Sequence, residues 1–180
     1  MLQIIVPAIE LWDEQKQEFV SRKEQTLQLE HSLVSLSKWE SKWCKPFLGK
    51  TEKTDEEVRD YIRCMTITQN VNPDIYNYLT AENIRQIDEY IQAPMTATTF
   101  PQERNVRGSI QVVTAEVIYH WMIALQIPIE FQKWHLNRLL AQIRTCNIMN
   151  QPPKKRNKRD IASQYAALNA ARRQKLNSKG

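Results

Sequence analysis

Apolar and polar residues follow two different periods along this chain. At the N-terminus the period is short. Leu2-Gln3-Ile4-Ile5-Val6 is a β-branched run, Glu18-Phe19-Val20-Ser21 follows a polar segment, and Thr26-Leu27-Gln28-Leu29 alternates polar and apolar residues as a half-buried strand does. Three strands are predicted there. From Ser32 onward the period lengthens. Leu33, Leu36, Trp39 and Trp43 share one helical face, with Ser35, Lys38 and Lys42 off it, and Pro46 is the predicted stop.

The next helices announce themselves by their caps. Thr54-Asp55-Glu56-Glu57 reads as a capping box, in which hydroxyl and carboxylate each accept an orphan backbone N–H. Val58, Tyr61, Ile62 and Met65 then form an apolar stripe. Asn72-Pro73 predicts a short helix through Tyr78. Thr80 predicts another, with Ile84, Ile87 and Ile91 inward.

Residues 93–113 have no helical period. Met95–Phe100 and Ile110–Val113 are expected to pair as a second hairpin around Pro101–Gly108. Thr114 should cap a helix over Ala115–Gln126. Its main stripe is Val117, Ile118, Trp121, Met122 and Leu125, with Tyr119 and Ile123 on the far side. Pro128 is expected to open the following helix. There Leu136, Leu139, Leu140 and Ile143 form the stripe, and Phe131 and Trp134 project from the opposite side. Asp160 should cap a last helix over Ile161–Lys175, whose large apolar groups at useful spacing are Ile161, Tyr165 and Leu168.

These elements predict a mainly α fold with a small N-terminal β element (α+β). One helical domain over residues 1–149 is followed by a basic, partly helical tail over 150–180, with Pro152-Pro153 at the seam. Charge sharpens that division. Residues 150–180 hold nine Lys and Arg against Asp160 alone, a net +8, so the total of +5 leaves −3 for the body. Three widely spaced cysteines do not make a disulfide framework and point to a reducing compartment. Met1–Pro7 lacks the basic start and cleavage site of a secretory signal. The apolar run Val117–Ile129 is too short to span a bilayer, which takes about 20 residues. A soluble, intracellular chain that does not engage membranes is expected.

Candidate chemistry is sparse. Three scattered glycines cannot build a phosphate-cradling loop. His31, His120 and His135 do not pair with Cys44, Cys64 or Cys146 at zinc-site spacing, and single core or surface histidines are the expected reading. Cys146 continues the Leu136–Ile143 stripe and reads as a small buried hydrophobe. Caps and solvated faces account for Asp55, Glu56, Glu57 and Glu116. No catalysis, cofactor or metal is expected.

Binding is the better prospect. Trp39 and Trp43 read first as core and second as an exposed aromatic ledge. Phe131 and Trp134 read equally as interface residues and as one side of a helix between two layers. The run Lys154-Lys155-Arg156-Asn157-Lys158-Arg159 suits phosphate backbones, nuclear import or an acidic protein surface, or is simply a solvated tail. Ile161, Tyr165 and Leu168 make too thin a stripe for a helix standing alone, so the tail is expected to firm up on a partner.

Several stretches resemble tail assembly chaperones of long, non-contractile-tailed bacteriophages. They are Leu29–Trp43 (LEHSLVSLSKWESKW), Tyr61–Thr66 (YIRCMT), Ala93–Thr98 (APMTAT), Lys133–Leu140 (KWHLNRLL) and the tail Asn150–Gly180. The likeness runs from about Thr26 to the C-terminus. It implies a non-enzymatic chain that self-associates, coats the tape measure protein in the host cytoplasm before tail tube subunits polymerise, and is absent from the finished virion. It also implies possible contact with the tail tube protein. In many such families a longer form arises by ribosomal frameshifting. Nucleic-acid binding through the basic tail is the second expectation, and a structural tail or connector subunit the third.

Overall fold

A computed structural model describes residues 1–13, 18–100, 112–151 and 158–176. The chain divides into two compact units, Met1–Cys146 and Asn147–Gly180. The fold is mainly helical with a small antiparallel β element at the N-terminus.

The β element is made of four short strands: β1 (Leu2–Val6), β2 (Ile9–Asp13), β3 (Glu18–Arg22) and β4 (Gln25–Leu29). β1 pairs with β4 and β2 with β3, both antiparallel. Partner numbers sum to 31 in both ladders, as in Ile4 with Leu27 and Leu11 with Val20, so the two ladders keep one register. Pro7, which has no N–H to donate, stands at the interruption. Ile4, Val6, Leu27 and Leu29 turn inward while Gln3, Ile5, Thr26 and Gln28 face out. Both edges of the β1–β4 pair are engaged. Asn83 Nδ2 donates to Ile5 O, and Ile67 N donates to Gln28 O.

Ser32 caps α1 (Leu33–Trp43) with a box closed by Ser35. The helix stops earlier than Pro46, because Cys44 turns left-handed (φ 51°) and donates its N–H to Glu40 O. The Thr54–Glu57 box forms and opens α2 (Asp55–Met65). Asn72-Pro73 starts a 3-10 turn, Pro73–Asn77, in place of an α-helix. Thr80 caps α3 (Ala81–Gln92), where Ile87 is buried and Ile84 and Ile91 are half-buried. Thr114 precedes α4 (Ala115–Ala124) without making a side-chain cap. Leu33, Leu36 and Trp39 of α1 share the core with Tyr61, Ile62 and Met65 of α2, Ile118 and Met122 of α4, and the β1–β4 face.

Three expectations need correction. Met95–Phe100 forms no strand, and neither do Val112 and Val113; Pro101–Gln111, which hold the expected turn and the first half of the other arm, lie outside the described residues. Pro128 does not start a long helix. A 3-10 turn, Ile129–Lys133, comes first, and α5 (Leu136–Met149) begins only after His135 bridges to Ser32. Phe131 and Trp134 therefore do not lie on the same helix as Leu139. In the second unit, α6 (Lys158–Leu176) begins before Asp160, so Asp160 lies within the first turn and is not its cap.

Candidate partner-binding surface

The junction between the 3-10 turn and α5 builds an aromatic platform. Phe131 and Trp134 are three residues apart, one turn of a 3-10 helix, and their rings stack at 3.8 Å with 16° between planes. Arg138, one α-turn further on, lays its guanidinium over Trp134 at 4.1 Å from the ring centre. Both rings are half-buried and Arg138 is exposed.

Beside this platform lies a cleft of about 360 Å³. Its walls are Met95–Thr98 on one side and Trp134, Arg138, Ala141, Gln142 and Thr145 on the other. The α5 residues recur at helical spacing and so share one face. Asn137 anchors the opposite wall, donating from Nδ2 to Ile91 O at 2.9 Å and to Ala93 O at 2.8 Å. Met95 adopts φ 49°, a costly conformation for a residue with a Cβ, which marks this wall as held by its surroundings. Phe131 and Trp134 stand out in the sequence as surplus aromatics, whereas Arg138, Gln142 and Thr145 do not. The i, i+4 spacing of Trp134 and Arg138 was the available signal.

The other two tryptophans behave differently. Trp39 is 1% exposed, and its Nε1 donates to Glu57 O at 2.8 Å. It is core, so the exposed-ledge reading fails for it: the ring meets Phe47 and Tyr61 edge-on. Trp43 is half-buried and donates to Asp60 Oδ2 at 2.9 Å. Lys42 and Arg63 also bond Asp60. Burial works against the Asp60 charge, but these hydrogen bonds and the nearby cations prevail and hold the carboxyl below its ordinary range.

α6 presents a contrast. Each described side chain from Ala162 to Leu176 is exposed, including Tyr165 (64%) and Leu168 (52%). Lys158, Arg159 and Ile161 lie in its first turn, where side chains are outside the described set, as are Lys154, Lys155 and Arg156 altogether. On α4, Ile123 is 75% exposed, so the far side of that helix is only partly covered.

The histidines separate too. His120 is exposed, whereas His31 and His135 are buried with ring centres 5.1 Å apart. His31 Nδ1 and the Tyr61 hydroxyl share a hydrogen bond of 2.6 Å. His135 Nδ1 accepts from Asn137 N, so its Nε2 carries the hydrogen that is donated to Tyr90 O. Burial, then the neighbouring His135, drives the His31 pKa down to about 4; burial lowers that of His135 as well. Both rings are neutral structural groups at pH 7. Cys146 is half-buried, not fully buried, and Gln142 Nε2 lies 3.5 Å from its sulfur. Among the described residues no three His, Cys, Asp or Glu side chains converge as a metal site, and no helix is long and apolar enough to cross a membrane.

Comparison with protein-family models, curated proteins and solved structures finds no match to this chain.

Proposed function

We propose that this chain is a bacteriophage tail assembly chaperone that self-associates and holds the tape measure protein soluble until the tail tube assembles. The reading starts from the resemblance in Leu29–Trp43, Lys133–Leu140 and the C-terminal tail. The observation that carries it furthest is α6: nineteen residues of helix expose Tyr165 and Leu168 and bury no described side chain. A helix of that composition gains little from its own stripe and much from docking on another protein. The Phe131–Trp134 platform adds a second contact surface, and several modest contacts suit a partner that must later be released.

The test is co-expression with the tape measure protein followed by affinity capture on this chain. Co-purification at physiological salt supports the proposal. A tape measure protein that never co-purifies contradicts it. The basic run also favours a second reading, nucleic-acid binding through the tail. That reading demands binding that weakens steeply with salt and vanishes on truncation at Asn150. In the host cytoplasm the chaperone would be present during assembly and missing from purified particles; mass spectrometry of particles separates it from a structural subunit.

A further inference from the structure

The cleft beside Trp134 has a defined chemistry of its own. From Phe131 to Gln151 the chain carries Lys133, Arg138 and Arg144 and not one acid, although the body as a whole is acidic. The facing wall, Ala93–Phe100, is uncharged. Arg144 is engaged over the Phe100 ring at 4.4 Å. Arg138 is not ion-paired among the described residues; its contact is the flat face of Trp134. Trp134 is itself stacked with Phe131, so the guanidinium sits over one ring of a stacked pair. Stacking of this kind leaves the N–H edges free and reduces the freedom they lose on binding an oxyanion. Thr96, Thr98, Gln142 and Thr145 place hydroxyl and amide groups around the same cleft.

We propose that this cleft binds an acidic side chain of a protein partner, with Arg138 gripping the carboxylate and Trp134 orienting Arg138. A carboxylate matches the planar fork of a guanidinium in a bidentate pair. One stacked arginine in a cleft of about 360 Å³ suits a single side chain better than a phosphate chain. The inference deepens the chaperone reading in resting on a protein partner, but it concerns any acidic segment, and the two fail separately: capture of the tape measure protein can succeed with this cleft empty.

The probe is a capped helical peptide, four repeats of Glu-Ala-Ala-Ala, titrated into the full chain while the Trp134 indole N–H and Arg138 Nε–H resonances are followed. The controls are the same peptide with Gln for Glu and a single-stranded oligonucleotide of equal charge. The basic tail attracts both anions, so the readout is taken at the cleft and against Arg138→Gln, which keeps the tail. Site-specific saturation by the Glu peptide is expected, with no response to the Gln peptide. Arg138→Gln should weaken the response about two- to fivefold, the effect of one exposed ion pair. Arg138→Lys, which keeps charge but loses the fork, should recover only part of it. Equal responses to the Glu and Gln peptides, an unchanged titration in Arg138→Gln, or preferential response to the oligonucleotide each overturn the assignment.

Discussion

Glu40 and Ala115 meet across 75 positions of sequence: a buried carboxylate oxygen of Glu40 accepts the Ala115 N–H at 2.7 Å. The other oxygen accepts Phe47 N at 2.8 Å. Glu40 thus supplies α4 with the N-terminal acceptor that Thr114 does not provide, and its negative charge sits at the positive end of the helix. It also ties α1 to the turn that follows it.

Glu40→Ala is expected to destabilise the body by about 2–4 kcal/mol, since it strands the buried Ala115 N–H and frees the part-buried Phe47 N–H. Urea unfolding at pH 7.5 measures the loss, and hydrogen exchange at Ala115 should accelerate selectively. Thr114→Ala, by contrast, should change stability by less than about 0.5 kcal/mol, because its hydroxyl caps nothing. A large effect at Thr114 and none at Glu40 would reverse this assignment.

Mild acid should weaken the fold through His31. Its folded pKa, about 4, lies below the ordinary 6.5, so the unfolded chain binds more protons between those values. Stability from this source is complete above pH 6.5 and is lost as pH falls toward 4, by an amount on the order of 3 kcal/mol. His135, also lowered, adds in the same direction. The urea midpoint should therefore drop between pH 7 and pH 4.5. In His31→Gln the slope over that window should flatten. A midpoint independent of pH across it would show that His31 titrates normally.

Trp39 and Trp134 should separate stability from binding. Trp39→Ala removes a fully buried ring and its hydrogen bond to Glu57 O, and is expected to cost about 3–5 kcal/mol. Trp134→Ala removes a half-buried ring and should cost less than about 2 kcal/mol while weakening partner capture. Urea unfolding and quantitative pull-down of the two variants check both halves.

What was legible in the sequence was local. The Thr54–Glu57 and Thr80 caps, the strand Leu2–Val6 and the stripe through Tyr61 depend on neighbours a few residues apart, and they stand where the pattern put them. Errors came from tertiary contacts. Pro128 reads as the start of an α-helix because a leading proline suits a 3-10 turn equally well, and the extended Trp134 with the Ser32–His135 bridge separates Ile129–Lys133 from α5. β2 was missed because Ile9–Asp13 is short and half polar, and its pairing is set by a register shared with β1 and β4. The same limit applies to the candidate surface. Phe131 and Trp134 were visible as surplus aromatics, but the cleft needs Met95–Thr98, anchored by Asn137 to Ile91 and Ala93.

The tail should contribute to binding and not to the stability of the body. Asn147–Gly180 is a compact unit of its own, so deleting residues 151–180 is expected to shift body stability by less than about 0.5 kcal/mol. A synthetic peptide spanning 158–176 should be well under half helical in buffer at 25 °C by circular dichroism. A large drop in the urea midpoint on truncation would assign the tail a structural role instead.

The most direct measurement is the soluble fraction of the tape measure protein in cells expressing it alone, with this chain, and with a Tyr165→Ala/Leu168→Ala double variant. Low solubility is expected alone, with a several-fold rise alongside the intact chain and loss of most of that rise in the variant. A tape measure protein equally soluble with and without this chain would contradict it.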